Sequence, residues 1–453
     1  MKQSNNQFYI FYSVMLISFV SFYFTDIEIF GHIASIFVLI SIFISWFHAS
    51  KTFKIISIIF FAVAFIFVLT SEQSFFDLYT YTLSNVPLIL FFSMMPWISM
   101  IFQIGGMKDS LTQTIQDKNN YLPNIYMKSF MNAGFLSIFL NISGVFIVQQ
   151  ILINLFSNKN INTRNDMIMA ATARAFAIVM MATPLELIVV VSIDYSGIGY
   201  LTLLPWLFII SFIMFLIEII SSRKTFGDVK VDLPYTEIDN KKLFKSLAQM
   251  LVILIIFITT VVLLNNYTEL SFILSIGLTL LPFSFIVSLV LRFPRRFLRE
   301  GFTSWQHHNN NLQNFVVLFL PLGIFSSSFS NSTVPAWISS KFGEVEIYTI
   351  FIFLIAAAFI TVTALIGIHA VAGVAILLDI LMPVVDEAAL LSLMVVIIAS
   401  GLATTAYSPY STITNVTIQN IKVSPSTILR RNKWFALRMM TIAIIVASLM
   451  MLI

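Results

Sequence analysis

Long apolar runs separated by short polar stretches fill almost the whole chain, and their lengths predict membrane-crossing helices. Runs at 7–24, 28–47, 55–70, 85–104, 129–156, 199–220, 246–264, 271–291, 314–328, 347–367 and 434–453 each approach or exceed the hydrocarbon thickness of a bilayer. The pattern predicts an all-α polytopic membrane protein with about ten to twelve transmembrane helices. The run 129–156 is long for one crossing and holds Asn132, Asn141, Ser143 and Gln149. It is expected to tilt, or to continue as helix beyond the bilayer.

Two regions, 163–198 and 368–420, interrupt this pattern with Gly, Ser, Thr and Pro. In the first, Ala171-Thr172-Ala173-Arg174 runs on to Ala182-Thr183-Pro184-Leu185-Glu186. In the second, Ser400-Gly401-Leu402-Ala403-Thr404-Thr405 runs on to Tyr407-Ser408-Pro409-Tyr410-Ser411. Proline removes a backbone donor, and the carbonyls it frees at membrane depth must be satisfied by protein, water or a ligand. Interrupted segments at corresponding places in two halves point to the midplane binding site of a transporter. The expected organisation is an N-terminal membrane half, 1–220, with a hairpin in 163–198. A cytoplasmic linker, 221–245, then leads to a C-terminal half, 246–453, broken across 368–420.

Composition agrees with a lipid environment. Of 453 residues, 58% are hydrophobic and 10% charged, against about a quarter charged in soluble domains. Cysteine is absent, which excludes disulfides, thiolate metal sites and a cysteine nucleophile. The formal charge of +4 does not indicate nucleic acid, because the basic residues lie in short loops where they set orientation. Those loops are 49–54 (Lys51, Lys54), 106–128 (Lys108, Lys118, Lys128), 221–245, 292–313 (Arg292, Arg295, Arg296, Arg299) and 421–433 (Lys422, Arg430, Arg431, Lys433); 71–83, 265–270 and 384–388 have no Lys or Arg. The N-terminus and the basic loops are therefore expected in the cytoplasm, with Lys159 and Arg164 as exceptions outside. On that topology 163–198 leaves from and returns to the outside, while 404–420 starts and ends at the cytoplasmic side, giving one hairpin from each face. The first span lacks a small-residue cleavage pattern and reads as a retained helix. The Phe, Ile, Asn and Lys bias suggests a bacterial cytoplasmic membrane, by association only.

No loop is long enough for an independent soluble core. HExxH, Walker-lysine and GxSxG patterns are all missing, so neither an enzyme nor an ATP-driven pump is expected. No cofactor or metal is expected beyond Na+ or H+ as coupling ion. The pair His307-His308, in what reads as a polar loop over 306–311, is taken as incidental.

The candidate chemistry lies at the interruptions. An arginine at membrane depth, such as Arg174, costs at least ~2.5–3.5 kcal/mol unless paired or hydrated. Its forked donors suit a carboxylate or phosphate; the plainer alternatives are an ion pair with Glu186 or Asp166, or a snorkelling side chain. Glu186 can take a proton or cation, or can pair with Arg174 or complement a helix N-terminus. Ser408, Ser411, Thr412 and Asn415, around Pro409, offer oxygens and an amide for a solute or Na+, or simply hydrogen bonds between packed helices. Thr172, Thr404 and Thr405 add hydroxyls that could serve the coupling ion. His369, between Gly367 and Gly373, is a candidate relay whose plainer reading is a packing residue. Ser326 to Thr333 reads as an outer loop with a capping role.

The small-hydroxyl-Pro interruptions, the basic inner loops and the stretch Ser400 to Ser426 resemble the ion transporter superfamily of secondary anion carriers. The resemblance implies an inverted-repeat fold with a scaffold part and a mobile part moving as an elevator. It also implies that Thr183, Pro184, Ser408, Pro409, Thr412 and Asn415 hold substrate and coupling ion, and that the carrier is a homodimer. The chain departs from the sodium-coupled dicarboxylate members. Their Ser-Asn-Thr tip triplet is absent from both interruptions, and Ser330-Asn331-Ser332-Thr333 falls elsewhere.

The preferred function is secondary active transport of a small anionic or polar organic solute, with the lipid bilayer as the other partner. The alternatives are an exporter or lipid-linked flippase of another multi-helix fold, and, least favoured, an intramembrane enzyme using His369 or Glu186.

Overall fold

The apolar runs become helices. The computed structural model describes residues 7–106, 115, 121–156, 161–227, 230, 240–342 and 349–452, with backbone only at 240, 242 and 342. Of the expected linker 221–245, residues 228–229 and 231–239 lie outside the described residues, as do Lys108, Lys118 and Lys159, while 221–226 and 240–245 are helical ends rather than loop. Among the described residues, ten helical stretches are long and apolar enough to cross a membrane. The chain is an all-helical, polytopic membrane protein.

In chain order the first group is α1 (Phe8–Thr25), α2 (Glu28–Trp46), α3 (Lys51–Thr70), α4 (Phe75–Thr80) and α5 (Val86–Ile104). Then come α6 (Leu122–Leu140), α7 (Ile142–Phe156), α8 (Ile161–Met167), a π turn (Ile168–Thr172), α9 (Ala173–Met180), α10 (Leu187–Ser196) and α11 (Tyr200–Phe226). The second half comprises α12 (Asn240–Tyr267), α13 (Phe272–Val290), α14 (Pro294–Asn309), α15 (Gln313–Ser330) and α16 (Val334–Phe342). It closes with α17 (Thr349–Leu365), α18 (Ala370–Leu381), α19 (Glu387–Tyr407), α20 (Thr412–Ile421) and α21 (Pro425–Met450). Local chemistry sets several starts. Ser74 and Asp77 make a capping box on α4, and Ser271 and Ser424 cap α13 and α21.

The regions 163–198 and 368–420 are mostly helical rather than irregular, because apolar side chains continue through them. The reversals also lie elsewhere than expected. Asn141 (φ 47°, ψ −133°) separates α6 from α7, and a Cβ on Gly144 would stand 2.6 Å from the Leu136 carbonyl carbon. Residues eight apart on one helix would be ~12 Å apart, so 129–156 is a tight helical hairpin and not one tilted span. The second reversal is at Gly367, whose φ of 98° suits glycine. There a Cβ on Gly373 would lie 2.8 Å from Thr363 Oγ1, although ten residues of continuous helix would part them by ~15 Å. Thr183-Pro184 and Ser408-Pro409 are instead breaks within helical segments, not hairpin tips.

The chain forms two compact units, and these do not coincide with the halves 1–220 and 246–453. One comprises Met1–Ile104, Thr260–Glu346 and Asp379–Val384; the other comprises Gly105–Thr259, Ile347–Leu378 and Val385–Ile453. Each takes segments from both halves, because helices from one half bury their apolar faces against helices from the other.

In the second unit the order of hairpin, broken helix and long helix occurs twice. The first copy is α6–α7, then α8–α9 broken from α10, then α11. The second is α17–α18, then α19 broken from α20, then α21. Ser211 Oγ donates to Ile178 O and Arg174 pairs with Glu218, so α11 runs antiparallel to α9. Tyr200 lies eighteen residues, ~27 Å, from the level of Glu218. The chain from Arg174 to Tyr200 therefore traverses the unit, and 163–198 does not leave and return at one face.

Because α6–α7 folds back, Arg164 joins the other basic residues rather than standing as an exception. Asp166 lies 3.9 Å from Arg431, which places α8 at the end that carries Arg223, Lys224, Arg430 and Lys433. The hairpin α6–α7 opens toward this basic end. The hairpin α17–α18 opens toward the other end, since Ala364 meets Ser408 and Thr361 meets Met440. The two repeats are inverted within this unit.

Candidate functional site

At the first break, Met181–Glu186 leave the helix between α9 and α10. Tyr200 of α11 donates its hydroxyl to Ala182 O at 2.8 Å, which satisfies one carbonyl freed by the interruption. Thr183 Oγ1 accepts weakly from Leu185 N (3.4 Å), and Pro184 is buried beside it. Glu186 occupies the N-cap position of α10, is 7% exposed, and makes no side-chain cap bond. No basic side chain lies within ion-pair distance of it among the described residues. Leaving a carboxylate ionised in such a place is costly.

The second break, Ser408–Ser411, is bound to the second hairpin. Ser408 Oγ donates to Ala364 O (2.8 Å), and the Tyr410 ring packs over Gly367. Ser411 Oγ caps α20 by accepting from Thr414 N (3.1 Å) while donating to Thr405 O (2.8 Å). Pro409 is half-buried, and Thr412 and Asn415 are exposed on the first turn of α20. His369 begins the second arm of the hairpin, and its carbonyl accepts from Gly373 N. The break, the hairpin turn and His369 thus form one locus. Thr404 and Thr405 donate back into α19, to Gly401 O and Leu402 O, so they offer only lone pairs.

A buried amide links the two repeats. Gln149 of α7 donates to Thr172 Oγ1 (3.0 Å) on the π turn and to Thr417 Oγ1 (2.8 Å) on α20, and accepts from Asn420 (2.8 Å). Asn420 in turn accepts from Gln150 (2.9 Å). Gln149 is therefore an internal fastener between the first hairpin and both broken helices, and Thr172 is one of its acceptors. π turns recur at functional sites, and this one orients Thr172 toward Gln149.

Arg174 belongs to a second internal network. It pairs with Glu218 (3.2 Å), donates to Asn432 Oδ1 (2.9 Å) and to Arg431 O (3.0 Å), and its guanidinium lies 5.5 Å from the Phe435 ring centre. Tyr126 donates to the same Glu218 (2.7 Å), and Asn432 donates to Met169 O and Ala406 O. The partner is neither Glu186 nor Asp166. These bonds hold Arg174 as an internal cation joining α6, α9, α11 and α21.

Glu218, Asn432 and Tyr126 were not among the sequence candidates, nor was Asp379, which accepts from Ser326 and is 7% exposed. Glu218 in Phe215-Leu216-Ile217-Glu218-Ile219-Ile220 and Asp379 in Leu377-Leu378-Asp379-Ile380 were legible as lone acids within apolar runs. Ser326 lies in α15, not in an outer loop, and His307-His308 end α14 rather than forming a polar loop. A cavity of about 580 Å³ in the first unit is lined by Leu39, Ile58, Phe61, Phe65 and neighbours, and none of the candidates borders it.

Paired hairpins, paired broken helices and a buried unpaired carboxylate define a polytopic, inverted-repeat membrane protein with two interrupted crossings. The fold is also found in the crystal structure of the YdaH transporter of Alcanivorax borkumensis, described as having an unusual topology. That chain is similar at TM-score 0.60 and 13% identity, over 88% of this chain and 98% of that one. No protein-family model matches this sequence, and no curated protein does.

Proposed function

We propose that this protein is a secondary active transporter of a small anionic or polar organic solute, coupled to H+ or Na+, with access alternating by an elevator-like motion. The observation that carries this reading is the inverted pair of hairpin and broken helix within one unit. Broken helices expose carbonyls and N-terminal N–H groups at membrane depth, where they replace the hydration shell of a solute or ion. The YdaH fold supports the same assignment, since that protein is a transporter. Transport is favoured over catalysis because the polar groups cluster at the breaks and fasten helices together.

The two breaks divide the work. Ser408, Pro409, Ser411, Thr412 and Asn415, with His369 across the hairpin turn, receive the solute, and Thr183 and Pro184 complete the first break. Glu186 carries the coupling proton or cation. Arg174 is less suited to substrate, because Glu218 already meets its charge. The basic ends are cytoplasmic, with the N-terminus inside. The test is gradient-driven solute uptake into proteoliposomes by wild type and Glu186→Gln. Uptake in the variant is expected to lose its dependence on the imposed gradient. A variant with wild-type gradient dependence would remove Glu186 from coupling.

A further inference from the structure

Helix α14 (Pro294–Asn309) has three distinct faces, and only one is used within the first unit. At 3.6 residues per turn, Phe297, Gly301, Trp305 and His308 share one side. Phe297 packs at a tilt against Trp97 of α5 (ring centres 5.4 Å apart), a Cβ on Gly301 would meet Trp97 at 2.6 Å, Trp305 Nε1 donates to Ser93 Oγ, and His308 contacts Phe92 O at 3.0 Å. Burial pushes the His308 imidazole down to about 4, so this docked edge is uncharged at neutral pH.

The adjoining strip is apolar and exposed: Leu298 is 47% accessible and Phe302 50%. The strip beyond it holds Arg295 and Arg299, with Arg296 continuing the basic side and Arg292 just before the helix. Glu300 pairs with Arg296 (2.9 Å) and more loosely with Arg299 (3.6 Å), so one carboxylate is shared between two of these four arginines and a net positive charge remains. Such an order of faces fits a helix lying in the interface plane, with its apolar flank toward acyl chains and its arginines at headgroup level.

The surroundings place this helix at a membrane boundary. Tyr9 packs edge-on to Trp305 at 5.9 Å, and its N–H bonds Asn310 Oδ1. Asn314 Oδ1 accepts from Ser50 N, which brings the start of α3, with Lys51 and Lys54, to the same end of the unit. Tryptophan and tyrosine concentrate at such boundaries. Helix α13, which leads into α14, likewise exposes apolar Ile286, Leu289 and Val290 over its last turns.

We propose that α14 is an anionic-phospholipid site. Arg295 and Arg299 hold the headgroup phosphate, and Leu298 and Phe302 cover the upper acyl chain. Forked guanidinium donors match phosphate oxygens, and no acid on α14 other than Glu300 opposes them. The lipid thereby braces α14 against α5.

The test compares thermal midpoints in mixed micelles in which phosphatidylglycerol replaces phosphatidylcholine at constant total lipid. The wild type is expected to gain about 2–5 °C from phosphatidylglycerol, and high salt should remove most of that gain. Arg295→Gln/Arg299→Gln should lose the phosphatidylglycerol increment while keeping the phosphatidylcholine midpoint. An equal increment in the double variant, or none in the wild type, would overturn the proposal. A second readout does not depend on the arginine variants. Because the chain has no cysteine, Phe302→Cys and Thr303→Cys can each carry a single nitroxide in liposomes. The label at 302 should be relaxed by oxygen and the label at 303 by a water-soluble nickel chelate. A label at 302 that responds to the chelate, or to neither agent because protein covers it, would equally refute lipid occupancy.

Discussion

At the scale of single residues, two buried charges are treated in opposite ways. Arg174 is partnered by Glu218, Asn432 and the Arg431 carbonyl, whereas Glu186 has no cation beside it among the described residues. Breaking a buried pair from one side leaves an uncompensated charge and costs about 3–5 kcal/mol. Arg174→Gln or Glu218→Gln is therefore expected to lower the thermal midpoint sharply. Replacing both together by Met and Leu should recover much of the loss. If either single change left the midpoint unaltered, Arg174 would be released from this structural role and become available to substrate. The depth of Arg174 was legible in its apolar neighbourhood. Its partner was not, because Glu218 is 44 residues distant in sequence and only the antiparallel run of α11 against α9 brings them together.

At the scale of elements, proline alone did not mark the interruptions. Pro96, Pro205, Pro282 and Pro321 lie inside continuous helices, while Pro184 and Pro409 lie in breaks. What distinguishes the latter is the hydroxyl before each proline; at the second break Ser411 then caps α20 so that a new helix starts at once, whereas Glu186 stands at the N-cap position of α10 without a side-chain cap bond. The breaks were thus readable from sequence. The hairpins were not, since α6 and α7 read as one apolar run and the reversal rests on the backbone of Asn141 and the missing side chain of Gly144. A methyl at 144 has no room against the Leu136 backbone. Gly144→Ala is expected to destabilise by about 1–3 kcal/mol in thermal or denaturant unfolding, as overpacking does. Gly199→Ala meets only Thr202 Oγ1 at 3.7 Å and should lie within ~0.5 kcal/mol of wild type. Equal effects at the two positions would argue against a tight hairpin at Asn141.

At the scale of the whole molecule, composition gave the class and the count of crossings, and the inverted repeat emerged once each hairpin was assigned to its own end of the second unit. Charge follows the same division. Arg164 and Arg430 share one end of that unit, with Asp194 and Asp386 toward the other. Single cysteines at Arg164 and Arg430 should react with an impermeant maleimide from the same side of the membrane, and those at Asp194 and Asp386 from the opposite side. Labelling of position 164 from the side of 194 would undo the fold-back at Asn141 and the inversion with it. Transport itself is tested most directly by ligand-induced stabilisation of the purified protein. Carboxylates, phosphates, sugars and amino acids would be screened with and without Na+ and at two pH values, since a solute that binds the native state raises the midpoint by mass action. The expected result is a reproducible shift from one class of small polar solute, dependent on Na+ or pH, that weakens in Ser411→Ala and loses its ion dependence in Glu186→Gln. Silence from every small solute, together with shifts from lipid-linked sugars, would contradict a solute carrier and favour a flippase.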